Sequence, residues 1–402
     1  MHIAKKLFCR CFQGVFRLAI PVLPYREGLI LEKVEDIPAC LRKKKIGKVL
    51  IVTDGFLHIS GMLEPLKRVL KAAGIGYAVY DEVTPNPTIL NVELARERYL
   101  EEGCRGLIGF GGGSAIDCAK AVGARIARPK LPIPKMEGIL KIWLPIPYLI
   151  AVPTTAGTGS EATLATVITD HNTSHKFPIS DFPLIPKVAV LDPEMTRTLP
   201  PHMTATTGMD ALTHAIEAYI GRSTTKQTRA AALEAVRLIA GNLERAYADG
   251  NQMEARKNML RAAYLAGGAF SKSYVGYCHA VAHSLGGQYH IPHGLANAVL
   301  LPYVLESYGE SVYNKCRDLA VAMNLADRDT PEEKAARALI AGIRRMNAAM
   351  NIPTKLPGIR VEDIPKLSHY ADKEANPLYP VPRLMNAKEL ERFYYDVMED
   401  GQ

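Results

Sequence analysis

The stretch GLIGFGGGSAIDCAKAVGARIA, residues 106–127, predicts a strand, a glycine turn and a helix in immediate succession. Residues 106–110 are typical of a buried strand, and a run with helical periodicity follows the glycines. Glycines at this point let the backbone approach a phosphate closely, and the start of the helix offers N–H groups that have no partner within the helix. Ser114 and Asp117 have the spacing of a capping box, so we expect them to define the helix start. The stretch indicates a pyrophosphate site, although it lacks the G-x-G-x-x-G spacing of the common dinucleotide-binding turn.

Strand and helix patterns alternate on both sides of this stretch. Residues 48–53 (KVLIVT) form a continuous apolar run, which is typical of a parallel strand covered on both faces. Residues 129–147 are rich in proline and predict a loop. The alternation indicates an α/β domain with a parallel sheet. Outside 106–127, strands are predicted over 27–32, 47–53, 77–80, 148–152 and 188–193, and helices over 62–74 and 89–102.

A second loop of small and hydroxyl-bearing residues, PTTAGTGSEAT (153–163), follows the strand at 148–152. Its hydroxyl and N–H groups suit phosphate or ribose oxygens, whereas a plain flexible turn is the alternative interpretation. Two such loops after two strands favour a ligand site, because ligands of parallel sheets bind at the carboxyl ends of the strands.

The pattern becomes helical after Pro200–Pro201. Helices are predicted over 203–220, 226–248, 254–270, 274–285, 294–308, 310–324, 331–350 and 388–399. We therefore divide the chain into an N-terminal extension (1–25), an α/β domain (26–197) and an all-helical domain (198–402).

Several histidines and an aspartate in the helical domain indicate a metal site. Asp210 and His214 are four residues apart, as are His279 and His283, so each pair shares one helix face. His290 and His293 follow within ten residues of His283. One carboxylate and several imidazoles from separate helices suit Zn²⁺ or Fe²⁺. These side chains are more than one ion needs, and a spare histidine is well placed to move protons because its pKa is near neutrality.

Composition narrows the possible classes of protein. The net charge is +8, but lysine and arginine are spread along the chain, which argues against nucleic-acid binding. Seven scattered cysteines without a disulfide-like spacing fit a reducing cytosol.

Residues 1–25 have a basic start and apolar residues interrupted by Arg10 and Arg17, which is unlike a secretory signal. We interpret them as an extension or an amphipathic segment, with weak contact to a membrane surface as the alternative. No segment of the sequence is long and apolar enough to predict a membrane span.

Six motifs occur along the chain in this order: VTD (52–54), TPNPT (84–88), GGGSAIDCAK (111–120), PTTAGTGSE (153–161), GMDALTHAIEAY (208–219) and HAVAHSLGGQYHIPHGLANA (279–298). With these motifs the sequence resembles the iron-containing (group III) alcohol dehydrogenase family over about residues 25–400. The resemblance implies a Rossmann-like, dinucleotide-binding α/β domain and an all-α metal-binding domain, the two-domain architecture also found in dehydroquinate synthase. Two departures are the N-terminal extension and the stretch ANPLYPVPRLMNAKEL, which follows the family's NPR pattern only loosely.

The resemblance also implies roles for individual residues. One divalent metal, Fe²⁺ or Zn²⁺, would be held by Asp210, His214, His279 and His293. His283 would be a catalytic, non-ligand histidine that relays a proton or orients the substrate. Asp54 would face the adenosine ribose and repel a 2′-phosphate, which favours NAD over NADP. The other residues expected to contact the cofactor are Asn86, Gly112, Gly113, Ser114, Thr154, Thr155, Thr163 and Lys176.

The expected activity is NAD(H)-linked interconversion of a small primary alcohol or diol and its aldehyde or ketone by hydride transfer. The alternative is a dehydroquinate-synthase-like lyase that uses NAD transiently with a metal. Small apolar residues near the histidines, such as Ala280 and Gly286, favour a small uncharged alcohol over an acidic substrate. The resemblance further implies a homodimer, and we expect a cytoplasmic location.

Overall fold

The computed structural model describes residues 1–170 and 175–399. The segment Pro24–Leu199 forms one compact unit, and Met1–Leu23 belong with the chain from Pro200 onward to a second unit. The strands in the described residues of the α/β unit are β1 (Leu29–Leu31), β2 (Lys48–Val52), β3 (Gly76–Tyr80), β4 (Gly106–Gly111), β5 (Gly138–Ile139), β6 (Tyr148–Pro153), β7 (Ala165–Asp170), β8 (His175–Ser180) and β9 (Val188–Val190).

Six of these strands form a parallel sheet in the order β1-β9-β6-β4-β2-β3. Alternate residues of each central strand enter different apolar clusters. On β2, Leu50 and Val52 face one cluster while Val49 and Ile51 face the other. Both faces are therefore covered, as the continuous apolar run predicted, and the α/β fold class with a parallel sheet is confirmed.

A smaller sheet, in the order β5-β8-β7, was missed by the sequence analysis. Strands β7 and β8 pair antiparallel, with Val167 opposite Pro178. A proline inside a short polar run argues against a strand, which explains why this pair was not predicted. The stretch 129–147, predicted as a loop, contains a short helix and β5.

The helices that precede β6 begin and end close to their predicted limits, where limits were predicted. Their bounds are α1 (Ile3–Ala19), α2 (Ile37–Lys43), α3 (Gly55–Ile59), α4 (Glu64–Ala72), α5 (Ile89–Glu101), α6 (Gly113–Ala127) and α7 (Ile133–Met136). The capping-box prediction for α6 is wrong, because Gly112 is the N-cap and makes no side-chain capping bond. The Asp117 carboxylate instead accepts hydrogen bonds from Ser160 Oγ at 2.6 Å and Val167 N at 2.9 Å.

The chain from Pro200 onward is helical, which confirms the predicted class of this half. Helix α15 was not predicted, although Ile364, Leu367, Ala371 and Ala375 form an apolar stripe beside the buried polar residues Ser368 and Asp372. Within the ranges 1–170 and 175–399, no helix combines the length and apolarity needed to cross a membrane. The helices are α8 (Pro201–Ile220), α9 (Lys226–Ala248), α10 (Met253–Ser273), α11 (Tyr277–Tyr289), α12 (His293–Tyr308), α13 (Tyr313–Ala322), α14 (Glu332–Ala349), α15 (Ile364–Ala375) and α16 (Ala387–Val397).

Residues 1–25 were set apart as an extension, but α1 lies within the same unit as the helices from Pro200 onward. The amide of Gln13, which is buried, donates to the carbonyls of Pro377 and Tyr379 at 3.0 and 2.8 Å. The Arg10 guanidinium donates to two further carbonyls, those of Val381 and Pro382. The helix is thus held by side-chain bonds to backbone groups that the sequence pattern does not reveal.

Candidate metal centre

Four side chains of the helical unit converge on one point. The potential ligand atoms of Asp210, His214, His279 and His293 all lie within 4.8 Å of one another. Asp210 Oδ1 is 3.8 Å from His279 Nε2 and 3.4 Å from His293 Nε2, and Asp210 Oδ2 is 3.9 Å from His214 Nδ1. Ligands about 2.0–2.2 Å from a tetrahedral ion would be about 3.3–3.6 Å apart, so these separations are close to those that a single ion requires.

Three helices supply these four side chains. Asp210 and His214 lie one turn apart on α8, His279 lies near the start of α11, and His293 is the first residue of α12. The start of α12 approaches α8 so closely that a Cβ on Gly294 would be 2.4 Å from the carbonyl oxygen of Thr206. A glycine after His293 is therefore needed for this ligand to reach Asp210.

Two further residues hold the candidate ligands in place. The Glu217 carboxylate accepts from His279 Nδ1 at 2.6 Å and from the backbone N–H groups of Gly276 and Cys278. Asn297 Nδ2 donates to Asp210 Oδ1 at 2.7 Å. Burial raises the pKa of Glu217 to about 8 despite these three donors.

The donor set fits a divalent metal. His279 Nδ1 is engaged by Glu217, whereas His279 Nε2 is buried and has no hydrogen-bond partner in the described part of the chain. Burial, followed by the other three histidines, lowers the pKa of His279 well below its ordinary value, which keeps the imidazole neutral as a ligand must be. A buried nitrogen aimed at a carboxylate and two imidazoles is what an ion of the Zn²⁺ or Fe²⁺ type would satisfy.

His283 lies beside this cluster rather than in it. Its ring is stacked against that of His293 with centroids 5.0 Å apart, and its Nδ1 lies 2.7 Å from Glu374 Oε1. The same carboxylate oxygen accepts from the hydroxyl of Tyr379 at 2.7 Å. A carboxylate at Nδ1 fixes the proton there and leaves Nε2 as an acceptor. His290, in contrast, is exposed at the end of α11.

Sequence reasoning did not single out Glu217, Asn297 or Glu374. Glu217 is seven residues after Asp210 and Asn297 is four residues after His293, so helical spacing alone places each on the face of a ligand. This signal was available in the motifs. Glu374 lies 91 residues from His283, and only the packing of α15 against α11 brings them together.

The candidate cofactor residues of the α/β unit lie at the carboxyl ends of neighbouring strands. Strands β2, β4 and β6 are adjacent, and Asp54, Gly112 and Thr154 follow them in turn. The two glycine-rich loops also pack together, because a Cβ on Gly113 would be 2.7 Å from the methyl group of Thr158. Asp54 caps α3 through a 2.9 Å bond from Leu57 N to one carboxylate oxygen. Ser114, Thr155 and Gly113 are all partly accessible.

Two predicted cofactor residues, Asn86 and Lys176, meet in the structure. Lys176 Nζ donates to Asn86 Oδ1 at 2.9 Å, although the two are 90 residues apart. Asn86 has a φ of 57°, a conformation that asparagine tolerates better than most residues.

Thr163, like Thr154 and unlike the partly accessible Thr155, lies inside the second loop. It is buried, and its hydroxyl accepts from Lys120 Nζ at 2.8 Å. Lys120 is itself buried and also donates to the carbonyls of Thr163 and Ala165, and burial lowers its pKa to about 8. Thr163 therefore shapes the loop from within, together with a lysine that the sequence analysis did not consider.

Comparison with known proteins agrees with this arrangement. A model of the iron-containing alcohol dehydrogenase family matches residues 30–193, and a model of the C-terminal part of the family matches residues 204–398. The chain is 40% identical to the 1,3-propanediol dehydrogenase of Citrobacter freundii over 351 residues, which cover 86% of this chain and 90% of that protein. It is 36% identical to the NAD-dependent methanol dehydrogenase of Bacillus methanolicus over 334 residues, 82% of this chain and 87% of that one.

The structure is likewise similar to a solved alcohol dehydrogenase from Oenococcus oeni. The two superpose with a TM-score of 0.88 at 33% sequence identity, covering 93% of this chain and 100% of the other. Both halves of the chain match the same family, and the relatives match over nearly their whole length. The chain therefore belongs to the iron-containing alcohol dehydrogenase family.

Proposed function

We propose that this chain oxidises a small alcohol or diol, or reduces the corresponding aldehyde or ketone, by NAD(H)-linked hydride transfer with one divalent metal bound. The observation that carries the proposal is the convergence of Asp210, His214, His279 and His293 from three helices within 4.8 Å. These four residues would hold the ion. When bound, a divalent ion supplies Lewis-acid stabilisation of negative charge on a substrate oxygen.

His283 is proposed to accept and return the alcohol proton. Glu374 holds the Nδ1 proton of His283, so that Nε2 is free to accept. The side chain of His283 is 28% exposed, which is enough for proton exchange with water. Buried His279 has no such access, since its side chain is only 2% exposed. The two histidines of α11 thus have different tasks although they share a helix face.

A small uncharged substrate is supported by two features. The residues beside the candidate ligands on α11 are small or apolar, and the relatives reported above are named for 1,3-propanediol and methanol. The same relatives are dehydrogenases, which favours alcohol oxidation over the lyase alternative. Fe²⁺ and Zn²⁺ both suit the ligand set, and the homodimer and the cytoplasmic location stay predictions.

NAD is proposed as the cofactor because Asp54 follows β2 at the edge where the glycine-rich loops lie. A carboxylate there would repel the 2′-phosphate of NADP. We expect Asp54→Gly to increase kcat/KM with NADP by at least about tenfold relative to NAD, since repulsion between like charges of this kind is worth more than about 1.4 kcal/mol. Steady-state rates with both cofactors check this, and an unchanged preference would show that Asp54 does not determine cofactor choice.

The function is tested by NADH formation from short alcohols with and without His283. We expect His283→Asn to lower kcat by about a hundredfold or more, which is the usual contribution of a proton-transfer group, while metal content is retained. His290→Ala is the matched control, because His290 is exposed and is expected to leave both metal content and rate unchanged. Loss of the metal in His283→Asn would instead make His283 a ligand.

A further inference from the structure

Helix α1 carries a broad apolar face that points away from the unit to which the helix is attached. Leu18 is 80% exposed and Val15 is 69% exposed, although both are large aliphatic residues. The outward face comprises Ile3, Leu7, Phe8, Cys11, Phe12, Val15 and Leu18, all exposed, and Val22 continues it beyond the helix. At 100° per residue these side chains cover about half of the helix circumference.

The opposite face of α1 is fixed to the protein, so the apolar face cannot turn inward. Cys9, Gln13 and Ile20 are buried, and Phe16 packs edge-on against Tyr274 with ring centroids 5.0 Å apart. Gln13 and Arg10 are held by the four bonds to carbonyl groups described above, and Ser223 Oγ donates to the carbonyl of Gln13. Rotation of the helix would break all of these hydrogen bonds without replacing them.

Basic residues border the apolar face on both sides. Lys6 and Arg17 are exposed along one edge, and Lys5 lies at the other edge, where it pairs with Asp372. The first 26 residues contain five lysines and arginines and no aspartate or glutamate. Burial, followed by the cations Arg229, Arg222 and Arg17, lowers the pKa of Lys315 to about 8, so positive charge is concentrated around that lysine. Two acidic groups pair with cations of this segment, Asp372 with Lys5 and Glu389 with the N-terminal amine.

We propose that the outward face of α1 is a docking site for an anionic lipid bilayer surface. A wide apolar face bordered by lysine and arginine is the pattern of a helix that lies in the plane of a membrane interface. Its apolar side chains would enter the boundary between headgroups and acyl chains, while Lys6 and Arg17 would contact anionic headgroups. The helix would act as a peripheral anchor.

A second copy of the chain is a less suitable occupant. A helix of 17 residues is about 26 Å long, so half of its circumference offers roughly 400–500 Å², below the roughly 800 Å² per partner of a standard interface. Pairing two such faces would also bring the basic edges of both copies together, which is unfavourable.

The proposal is tested by cosedimentation of the full-length, metal-loaded protein with lipid vesicles. We expect binding to vesicles of equal parts phosphatidylserine and phosphatidylcholine, and at least about tenfold weaker binding to phosphatidylcholine alone, since each basic residue near the surface contributes about 1 kcal/mol. Absence of binding to the mixed vesicles, or equal binding to both kinds, would overturn the proposal.

Substitutions identify the face. The variant Leu7→Gln/Val15→Gln/Leu18→Gln changes only outward side chains, and we expect it to weaken vesicle binding by at least about tenfold. The control Val361→Gln/Tyr370→Gln/Tyr395→Gln changes three exposed apolar residues elsewhere in the same unit and is expected to bind like the wild type. Both variants are expected to keep metal content and dehydrogenase activity. Undiminished vesicle binding by the first variant would overturn the proposal. So would a wild-type protein that binds no lipid but self-associates, if the first variant abolishes that self-association.

Discussion

Glu217 and Asn297 position the candidate metal ligands without offering a ligand atom themselves. Glu217 engages His279 Nδ1 and so directs His279 Nε2 toward Asp210, while Asn297 bonds Asp210 from α12. Groups of this kind orient the ligating atoms and raise the basicity of the imidazole. The affinity for metal therefore depends on more residues than the four that converge.

Glu217→Gln should weaken metal binding. One carboxylate oxygen accepts from Gly276 N and His279 Nδ1 and the other from Cys278 N, so an amide NH₂ would face a donor in either orientation. We expect a loss of about 10- to 100-fold in metal affinity, the usual effect of changing such a partner. Metal content after dialysis against a graded chelator series measures this loss.

Glu234→Gln is the matched control. Glu234 forms an exposed ion pair with Arg237 on α9, and loss of such a pair costs about 0.5 kcal/mol or less. Its metal affinity is expected to equal that of the wild type. If Glu217→Gln retained metal as tightly as this control, the carboxylate would have no part in holding His279.

Whether the sequence reveals a contact between two residues of the site depends on how far apart they are along the chain. Asp210, His214, His279 and His293 were named from their motifs, and the structure brings all four together. The same spacing argument could have identified Glu217. It could not have identified Glu374, because Glu374 is 91 residues from His283 and only the packing of their two helices brings them into contact. The predicted capping box of Ser114 and Asp117 does not form, because the Asp117 carboxylate instead accepts hydrogen bonds from Ser160 and Val167.

At the scale of elements, the site requires close approach of α8 and α12. Gly294 makes this close approach possible, because any side chain at this position would meet the backbone of Thr206.

The limits of the helices were largely predictable, because apolar periodicity is a local property. Helix α9, for example, was predicted over 226–248 and begins and ends at those residues. The β7–β8 pair was missed because a proline interrupts its pattern, whereas the apolar positions of α15 have helical spacing and could have been recognised.

Gly294→Ala should separate the two helices. A Cβ 2.4 Å from the Thr206 oxygen must displace backbone, so we expect a loss of about 1–3 kcal/mol in the free energy of unfolding and weaker metal binding because His293 moves with α12. Urea unfolding and metal titration measure the two effects.

Gly268→Ala on α10 provides the control for helix glycines. A Cβ at Gly268 meets no atom within 4 Å, so the substitution is expected to leave metal affinity unchanged and to stabilise the protein by about 0.5–1 kcal/mol through helix propensity. A Gly294→Ala variant that behaved like Gly268→Ala would contradict the close-approach argument.

At the scale of the whole molecule, each compact unit carries one part of the expected chemistry. The α/β unit presents Asp54 and two glycine-rich loops at the carboxyl ends of adjacent strands, and the helical unit carries the metal cluster. The division into an α/β half and a helical half was predictable from hydrophobic periodicity. The attachment of α1 to the helical unit was not, because it rests on side-chain bonds to distant backbone carbonyls.

The most direct test is metal removal followed by reconstitution, with NADH formation from a panel of short alcohols and diols as the measurement. Chelated protein is predicted to form no NADH and to regain activity with a single equivalent of Fe²⁺ or Zn²⁺ per chain. His279→Ala, which removes a buried ligand atom, is predicted to bind no metal and to stay inactive. Full NADH formation by the metal-free protein, or by His279→Ala, would contradict the account.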